Sequence, residues 1–167
     1  MEVKDAIATR LSIRRYAESS IPNEHMETLL RALQHAASAN NGQNWEFVFV
    51  GDAEIKHRLV EACSNQSFVG SCAYFIAGVA DPAQKWYMVD ITIALTNFTL
   101  QAADLGYGTC WIGAFDEIKV KEILGVPAER KVVICMTFGT PDGRHVAKGR
   151  KSFEKIIYRD HYGRSYS

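Results

Sequence analysis

The sequence has no surplus of charge of either sign, because its 19 lysines and arginines balance its 19 aspartates and glutamates. Proteins that bind nucleic acids normally have a clear basic excess, since contacts to phosphates dominate their affinity. The balance therefore argues against a nucleic-acid partner and requires any anion site to be a local cluster of cations. A net charge near zero also gives no repulsion between copies of the chain, which is compatible with an oligomer.

Long apolar segments are also missing from the sequence. No run approaches the roughly 18 consecutive apolar residues that a bilayer-spanning helix needs. Residues 1–10 include Glu2 and Asp5, and they lack the apolar core and the cleavage site of a signal peptide. These absences predict a cytoplasmic protein that has no membrane partner.

The sequence also lacks the cysteine and histidine spacings that are typical of metal sites. Cys63, Cys72, Cys110 and Cys135 form no Cys-x-x-Cys pair, which in a reducing compartment favours buried or partly buried thiols. The five histidines show no ligand spacing, so no metal site is expected. No histidine and aspartate pattern indicates activation of Cys110 as a nucleophile.

What the sequence does contain is an alternation of helical and strand patterns without an internal repeat or a linker. With 167 residues, this predicts a single domain, residues 1–167, in which helices pack on a sheet of about four strands. Helices are predicted over residues 2–10, from Pro22 to about 37, over 53–62, over 86–105 and after Asp116. Strands are predicted over residues 45–50, 72–80, 108–115 and 131–139.

The strongest helical pattern covers residues 86–105. Its apolar side chains recur at spacings of three and four, and further apolar residues extend around much of the remaining surface. A helix that is apolar on so many sides is expected to lie in the middle of the domain and in a subunit interface. The stripe consists of Met88, Ile91, Leu95, Phe98, Ala102 and Leu105, and the extension of Val89, Ile93 and Leu100.

Two short basic segments lie far apart in the sequence. The first contains Arg10, Ser12 and Arg14, and guanidinium and hydroxyl groups at a helix end can hold a dianionic phosphate. The second contains Lys148 and Arg150. Each segment alone is more typical of a solvated basic surface. In a chain without net charge, convergence of both segments on one anion is the more informative alternative.

Two further segments have the composition of a site for a flat polar ring. Residues 37–45 are rich in small residues and amides, which allow close backbone approach and offer hydrogen-bond donors and acceptors. Residues 109–115 form an apolar strand that ends in small residues, against which a ring could lie. The simpler alternatives are a connecting loop and a core strand.

Together these segments resemble the nitroreductase family of FMN-dependent oxidoreductases, specifically its short single-domain members. The resemblance extends from Lys4 to about Ile157, and Asp90 and Asn97 also match the pattern of the family's central helix. The motifs, in the family's order, are Arg10-x-Ser12-x-Arg14, Ser38…Asn41-x-Gln43-x-Trp45, Gly106-x-Gly108-x-x-Trp111-Ile112-Gly113 and Lys148-x-Arg150.

The resemblance implies an α+β fold, a three-layer sandwich with a central, mostly antiparallel sheet of four to five strands flanked by helices. It also implies that the long central helix lies within an intertwined homodimer and that non-covalent FMN binds at the interface. The implied FMN contacts are Arg10, Ser12, Arg14, Lys148 and Arg150 at the phosphate and ribityl chain; Ala37, Ser38, Ala39 and Asn41 from the second subunit; Asn65, or else Gln66, at the pyrimidine edge; and Ile112, Gly113 and Ala114 along the ring.

The implied activity is ping-pong hydride transfer through flavin N5, with NAD(P)H as the reductant and a nitroaromatic, quinone or similar small molecule as the acceptor. No catalytic side chain is then required. Two alternatives remain: a non-catalytic flavin-binding, storage or redox-sensing protein of the same fold, and an interaction domain without a cofactor. Ala37 and Asn44 stand where the family often has prolines, and an insertion that helps to cover the pocket in larger members is missing, so the acceptor stays open.

Overall fold

The computed structural model describes residues 1–166. The helices are α1 (Val3–Thr9), α2 (Asn23–Gln34), α3 (Ala53–Ala62), α4 (Phe68–Ser71), α5 (Tyr87–Asp104) and α6 (Glu117–Leu124). The strands are β1 (Glu46–Val50), β2 (Tyr74–Ala80), β3 (Gly108–Ile112) and β4 (Lys131–Gly139). Short 3₁₀ turns lie at Ala39–Asn41 and Phe153–Lys155.

The four strands form one sheet in the order β1-β2-β4-β3, and each neighbouring pair is antiparallel. Both faces of the sheet are covered, as the nearly continuous burial of β2 requires. Phe75 and Ala77 pack in a core with residues of α3, α4 and α6, whereas Ile76 packs on the opposite face with α2 and α5. The sheet is therefore the middle layer of three, which confirms the predicted α+β sandwich with four strands.

Most predicted elements are present, because local signals set their ends. Asp52 accepts a hydrogen bond from the backbone of Ile55 at 2.8 Å and caps α3. Asp116 does the same for α6, and Gly125 ends that helix with a positive φ of 68°. The predictions were wrong about the ends of three elements: α2 begins after Pro22 and stops at Gln34, β2 begins at Tyr74 rather than at residue 72, and β3 stops at Ile112 rather than at residue 115.

The long helix α5 packs its predicted stripe against the sheet, with one exception. Ile91, Leu95 and Phe98 are fully buried, but Met88 is 56% exposed and its neighbour Val89 is 49% exposed. The stripe therefore turns away from the core at the start of the helix. In residues 1–166, no helix combines the length and the apolar character needed to cross a membrane. All four cysteines are unpaired and buried, as predicted.

Candidate functional site

The arginine-rich segment that follows α1 runs beside the edge strand β3. The backbone N–H of Ile13 donates to the carbonyl of Thr109 at 2.9 Å, and Ser12 forms a parallel bridge with Thr109. Gly108 makes this approach possible, since a Cβ there would lie 2.3 Å from Cγ1 of Ile13. Ile13 is buried, whereas Ser12 and Arg14 are exposed. The extended backbone therefore presents Ser12 and Arg14 on its outer side.

The buried Tyr16 anchors the end of this segment. Its hydroxyl donates to the carbonyl of Ile13 at 2.8 Å and also lies 2.8 Å from the hydroxyl oxygen of Thr137 on β4. Burial raises the pKa of Tyr16 well above its ordinary value, so the hydroxyl keeps its proton. Bonds of Ile13 to β3 and of Tyr16 to β4 thus hold the segment on the sheet.

The chain that leaves β4 is fastened to the same segment. The backbone N–H of Ala17 donates to Thr140 at 2.9 Å, and that of Asp142 donates to Arg15 at 3.0 Å. The side chains of Arg15 and Asp142 also form an ion pair at 3.2 Å. These contacts place the start of the C-terminal basic segment beside the N-terminal one, although the two lie at opposite ends of the sequence.

The two basic segments line one open cavity of about 210 Å³. Within residues 1–166, none of its four arginines and lysines takes part in an ion pair. The cavity is therefore strongly cationic. Its lining residues are Arg10, Leu11, Ser12, Arg14, His145, Val146, Lys148 and Arg150. Sequence reasoning missed His145 as a lining residue, although its place in the basic segment was the available signal.

The cations of the cavity lie close enough to β3 to influence the thiol of Cys110 on that strand. Burial raises the pKa of the Cys110 thiol, and the positive charges of Arg14 and Arg10 oppose part of that rise. The Arg14 guanidinium also lies 6.0 Å from the centre of the Phe68 ring on α4. The cations therefore border both the strand and the helix that lead to the remaining predicted site residues.

The end of β3 lies against the loop that follows α3. The side-chain amide of Gln66 and the hydroxyl of Ser64 each donate to the carbonyl of Ala114 at 3.3 Å. Gln66 is thus engaged in holding the loop, whereas the side chain of Asn65 is exposed. Gly113 and Ala114 are exposed as well, and a Cβ at Gly113 would meet Cδ1 of Ile134 at 3.9 Å, an ordinary van der Waals distance. This leaves a shallow surface beside Asn65, while the Ile112 side chain is buried beneath it.

The amide-rich loop lies at the other end of the molecule. The backbone N–H of Ala39 donates at 3.1 Å to Asp90, which is buried in the first turn of α5. Arg10, in contrast, lines a cavity with Ala103 at the last turn of α5. Between these turns the helix rises about 20 Å. The structure therefore does not bring the loop residues to the cationic cavity within one chain; these are Ala37, Ser38, Ala39 and Asn41.

Residues 7–81 and 65–140 match the family model described as the Nitroreductase family. The chain belongs to the nitroreductase family. A relative from Archaeoglobus fulgidus, described as "Putative NADH dehydrogenase/NAD(P)H nitroreductase", is 33% identical over 144 residues, which cover 81% of this chain and 83% of the relative. The match confirms the family resemblance found in the sequence motifs.

Solved nitroreductases share the fold. A nitroreductase family protein from Clostridium novyi superimposes with a TM-score of 0.81 at 29% identity, covering 99% of this chain and 97% of that protein. The NADPH:FMN oxidoreductase from Vibrio harveyi, solved with NAD⁺, gives a TM-score of 0.89 at 26% identity, covering 96% of this chain and 77% of that enzyme. This nitroreductase-family chain therefore matches the Clostridium protein over nearly its whole length and spans about three quarters of the Vibrio enzyme.

Proposed function

We propose that this chain is an FMN-dependent oxidoreductase that uses NAD(P)H to reduce nitroaromatics, quinones or similar small acceptors. The observation that supports it most directly is the cavity in which four cations meet, none of them paired with a carboxylate in the described residues 1–166. A phosphate dianion supplies the charge that such a cluster lacks. The Vibrio relative, named for its use of NADPH and FMN, and the Archaeoglobus relative, named for its use of NAD(P)H, support the cofactor and the reductant.

The residues around the cavity fit a mononucleotide. Arg10 and Arg14 can each donate two hydrogen bonds to a phosphate, and Ser12 adds a hydroxyl. Lys148 and Arg150 approach the same space from the C-terminal segment. These five residues would hold the phosphate and the adjoining ribityl chain.

The shallow surface at the end of β3 would hold the flavin ring. The backbone of Ile112, Gly113 and Ala114 would lie along the ring, and the exposed amide of Asn65 would reach its pyrimidine edge. The chemistry supplied by bound FMN is hydride transfer through N5, with reductant and acceptor using the same site in turn. The chain's own residues bind and orient, and their exposure leaves an open approach for both substrates.

We propose that a second copy of the chain completes the site. Ala37, Ser38, Ala39 and Asn41 lie about one α5 length from the cavity of their own chain, so two chains packed with α5 helices antiparallel would bring each loop to the other's cavity. The exposed apolar residues Val3, Ile7, Met88 and Val89 on α1 and α5 supply a surface for this contact.

The proposed unit is the single domain of residues 1–167, and its four unpaired cysteines support a cytoplasmic location.

The test is the absorbance spectrum of the freshly purified protein, followed by anaerobic titration with NADH and NADPH. We expect flavin absorbance, bleaching by at least one reductant, and initial-rate patterns of parallel lines with a quinone or a nitroaromatic. A protein that contains no flavin and gains none from added FMN contradicts the proposal. FMN binding without turnover favours the non-catalytic flavin-binding or redox-sensing alternative.

A further inference from the structure

His145 combines two features that the proposed function does not explain. Its ring lines the cationic cavity and also a neighbouring cavity of about 280 Å³ beside α1. Its Nε2 atom is shielded from solvent, and it is the buried side-chain nitrogen or oxygen without a hydrogen-bond partner in the part of the chain that the structure describes. Because buried polar atoms in native proteins normally have a hydrogen-bond partner, this atom is a candidate contact for a ligand, an ion or a water.

The cavity itself has almost nothing to offer this nitrogen. Guanidinium and ammonium groups are donors only, so an imidazole N–H beside Arg10, Arg14, Lys148 and Arg150 has no acceptor among them. The remaining lining side chains are apolar, except for the hydroxyl of Ser12. Among the side chains of the cationic cavity, only the Ser12 hydroxyl could accept from an N–H at Nε2, whereas a bound phosphate supplies several acceptor oxygens.

The backbone around His145 permits this contact. Residues 144–151 form neither helix nor strand, so a small shift of this stretch together with its histidine breaks no ladder of backbone hydrogen bonds. The preceding turn is held by the bonds of Asp142 to Arg15. The histidine thus sits on a short free stretch between a fixed turn and the two C-terminal cations.

We propose that His145 donates a hydrogen bond from Nε2 to the terminal phosphate of the mononucleotide, and that it thereby favours FMN over riboflavin. This inference rests on the proposed FMN function. It adds to the phosphate site an imidazole donor that the arginine and lysine motifs do not include. Because the contact is to the phosphate alone, losing it should not affect a flavin that lacks the phosphate.

The test compares the binding of FMN and of riboflavin to the flavin-free full-length protein. Quenching of flavin fluorescence measures both affinities. His145→Leu removes the donor and His145→Gln retains one, while His57→Leu makes the same change at an exposed histidine on α3. We expect His145→Leu to weaken FMN binding about tenfold, the effect of one hydrogen bond to a charged group. Riboflavin binding should stay within about twofold of wild type. His145→Gln should recover part of the loss, and His57→Leu should change neither flavin.

A second measurement reports on the phosphate directly. The ³¹P resonance of bound FMN should move in His145→Leu and should be unaffected in His57→Leu. Equal weakening of FMN and riboflavin, or unchanged FMN binding, overturns the assignment of His145. If His145→Leu does not fold, a wild-type ratio of FMN to riboflavin affinity and an unshifted ³¹P resonance in His145→Ala overturn it instead. If wild type itself binds no FMN, the proposed function fails and the inference fails with it.

Discussion

At the residue scale, the cations of the cavity differ from several other arginines of the chain in their charged neighbours. Arg15, Arg31 and Arg130 each form an ion pair with a carboxylate. Arg10 and Arg14 have no such partner among residues 1–166, although both approach β3. Like charges gathered without neutralisation repel one another, so a bound dianion should stabilise the cluster as well as the ligand.

Removing both guanidinium groups should therefore weaken FMN binding strongly. For Arg10→Ala combined with Arg14→Ala, we expect a loss of about 100-fold or more, because two charge-assisted contacts disappear. Riboflavin binding should change far less. Arg58→Ala, at an exposed position on α3 outside the cavity, is the matched control. Isothermal titration with FMN measures the effect, and a wild-type dissociation constant in the double variant would rule out the phosphate role.

At the element scale, the sequence allowed the prediction of those features that depend on near neighbours. Asp52 and Asp116 cap helices at the predicted places, because a cap involves only the next three residues. The predicted end of β3 was wrong. Pairing with β4 stops at Ile112, and the apolar character of the following residues does not show where pairing stops. From the sequence, convergence of the two basic segments was only one of two alternatives. Their convergence depends on strand order and on long-range contacts such as that of Ile13 with Gly108.

The contact between the arginine segment and β3 gives the prediction at this scale. In Gly108→Ala, the added methyl would overlap Ile13, so either the segment or the strand must move. We expect the free energy of unfolding to fall by about 2–3 kcal/mol, as for other overpacked cores. FMN affinity should fall too, because Ser12 and Arg14 move with the segment. Gly70→Ala on α4 is the control, since its Cβ would meet its nearest neighbour at 3.4 Å, and it should be nearly neutral.

Urea unfolding followed by circular dichroism measures this change. A Gly108→Ala protein with wild-type stability and wild-type FMN affinity would show that the close approach of the segment to β3 is not needed. Loss of stability with unchanged FMN affinity would show that the segment keeps its position while the strand adjusts.

At the scale of the whole molecule, helix α5 separates two parts of one proposed site. Asp90 holds the amide-rich loop at the first turn, and the arginine segment lies at the last. A single chain therefore offers FMN either the cations or the loop. In the proposed dimer, cofactor affinity would depend on association, because any change that separates the two copies would also remove the loop residues from the cavity.

Placing a charge on the exposed apolar start of α5 tests that link. Val89 is 49% exposed in the single chain, and Val89→Asp would put an unpaired carboxylate into the proposed interface. Burying such a charge is costly, so we expect the dissociation constant of the dimer to rise by at least about 100-fold and FMN affinity to fall with it. Ile118→Asp, at a position 70% exposed on α6, should leave both unchanged. Sedimentation velocity gives the association state, and a Val89→Asp protein that stays dimeric with wild-type FMN affinity would place the interface elsewhere.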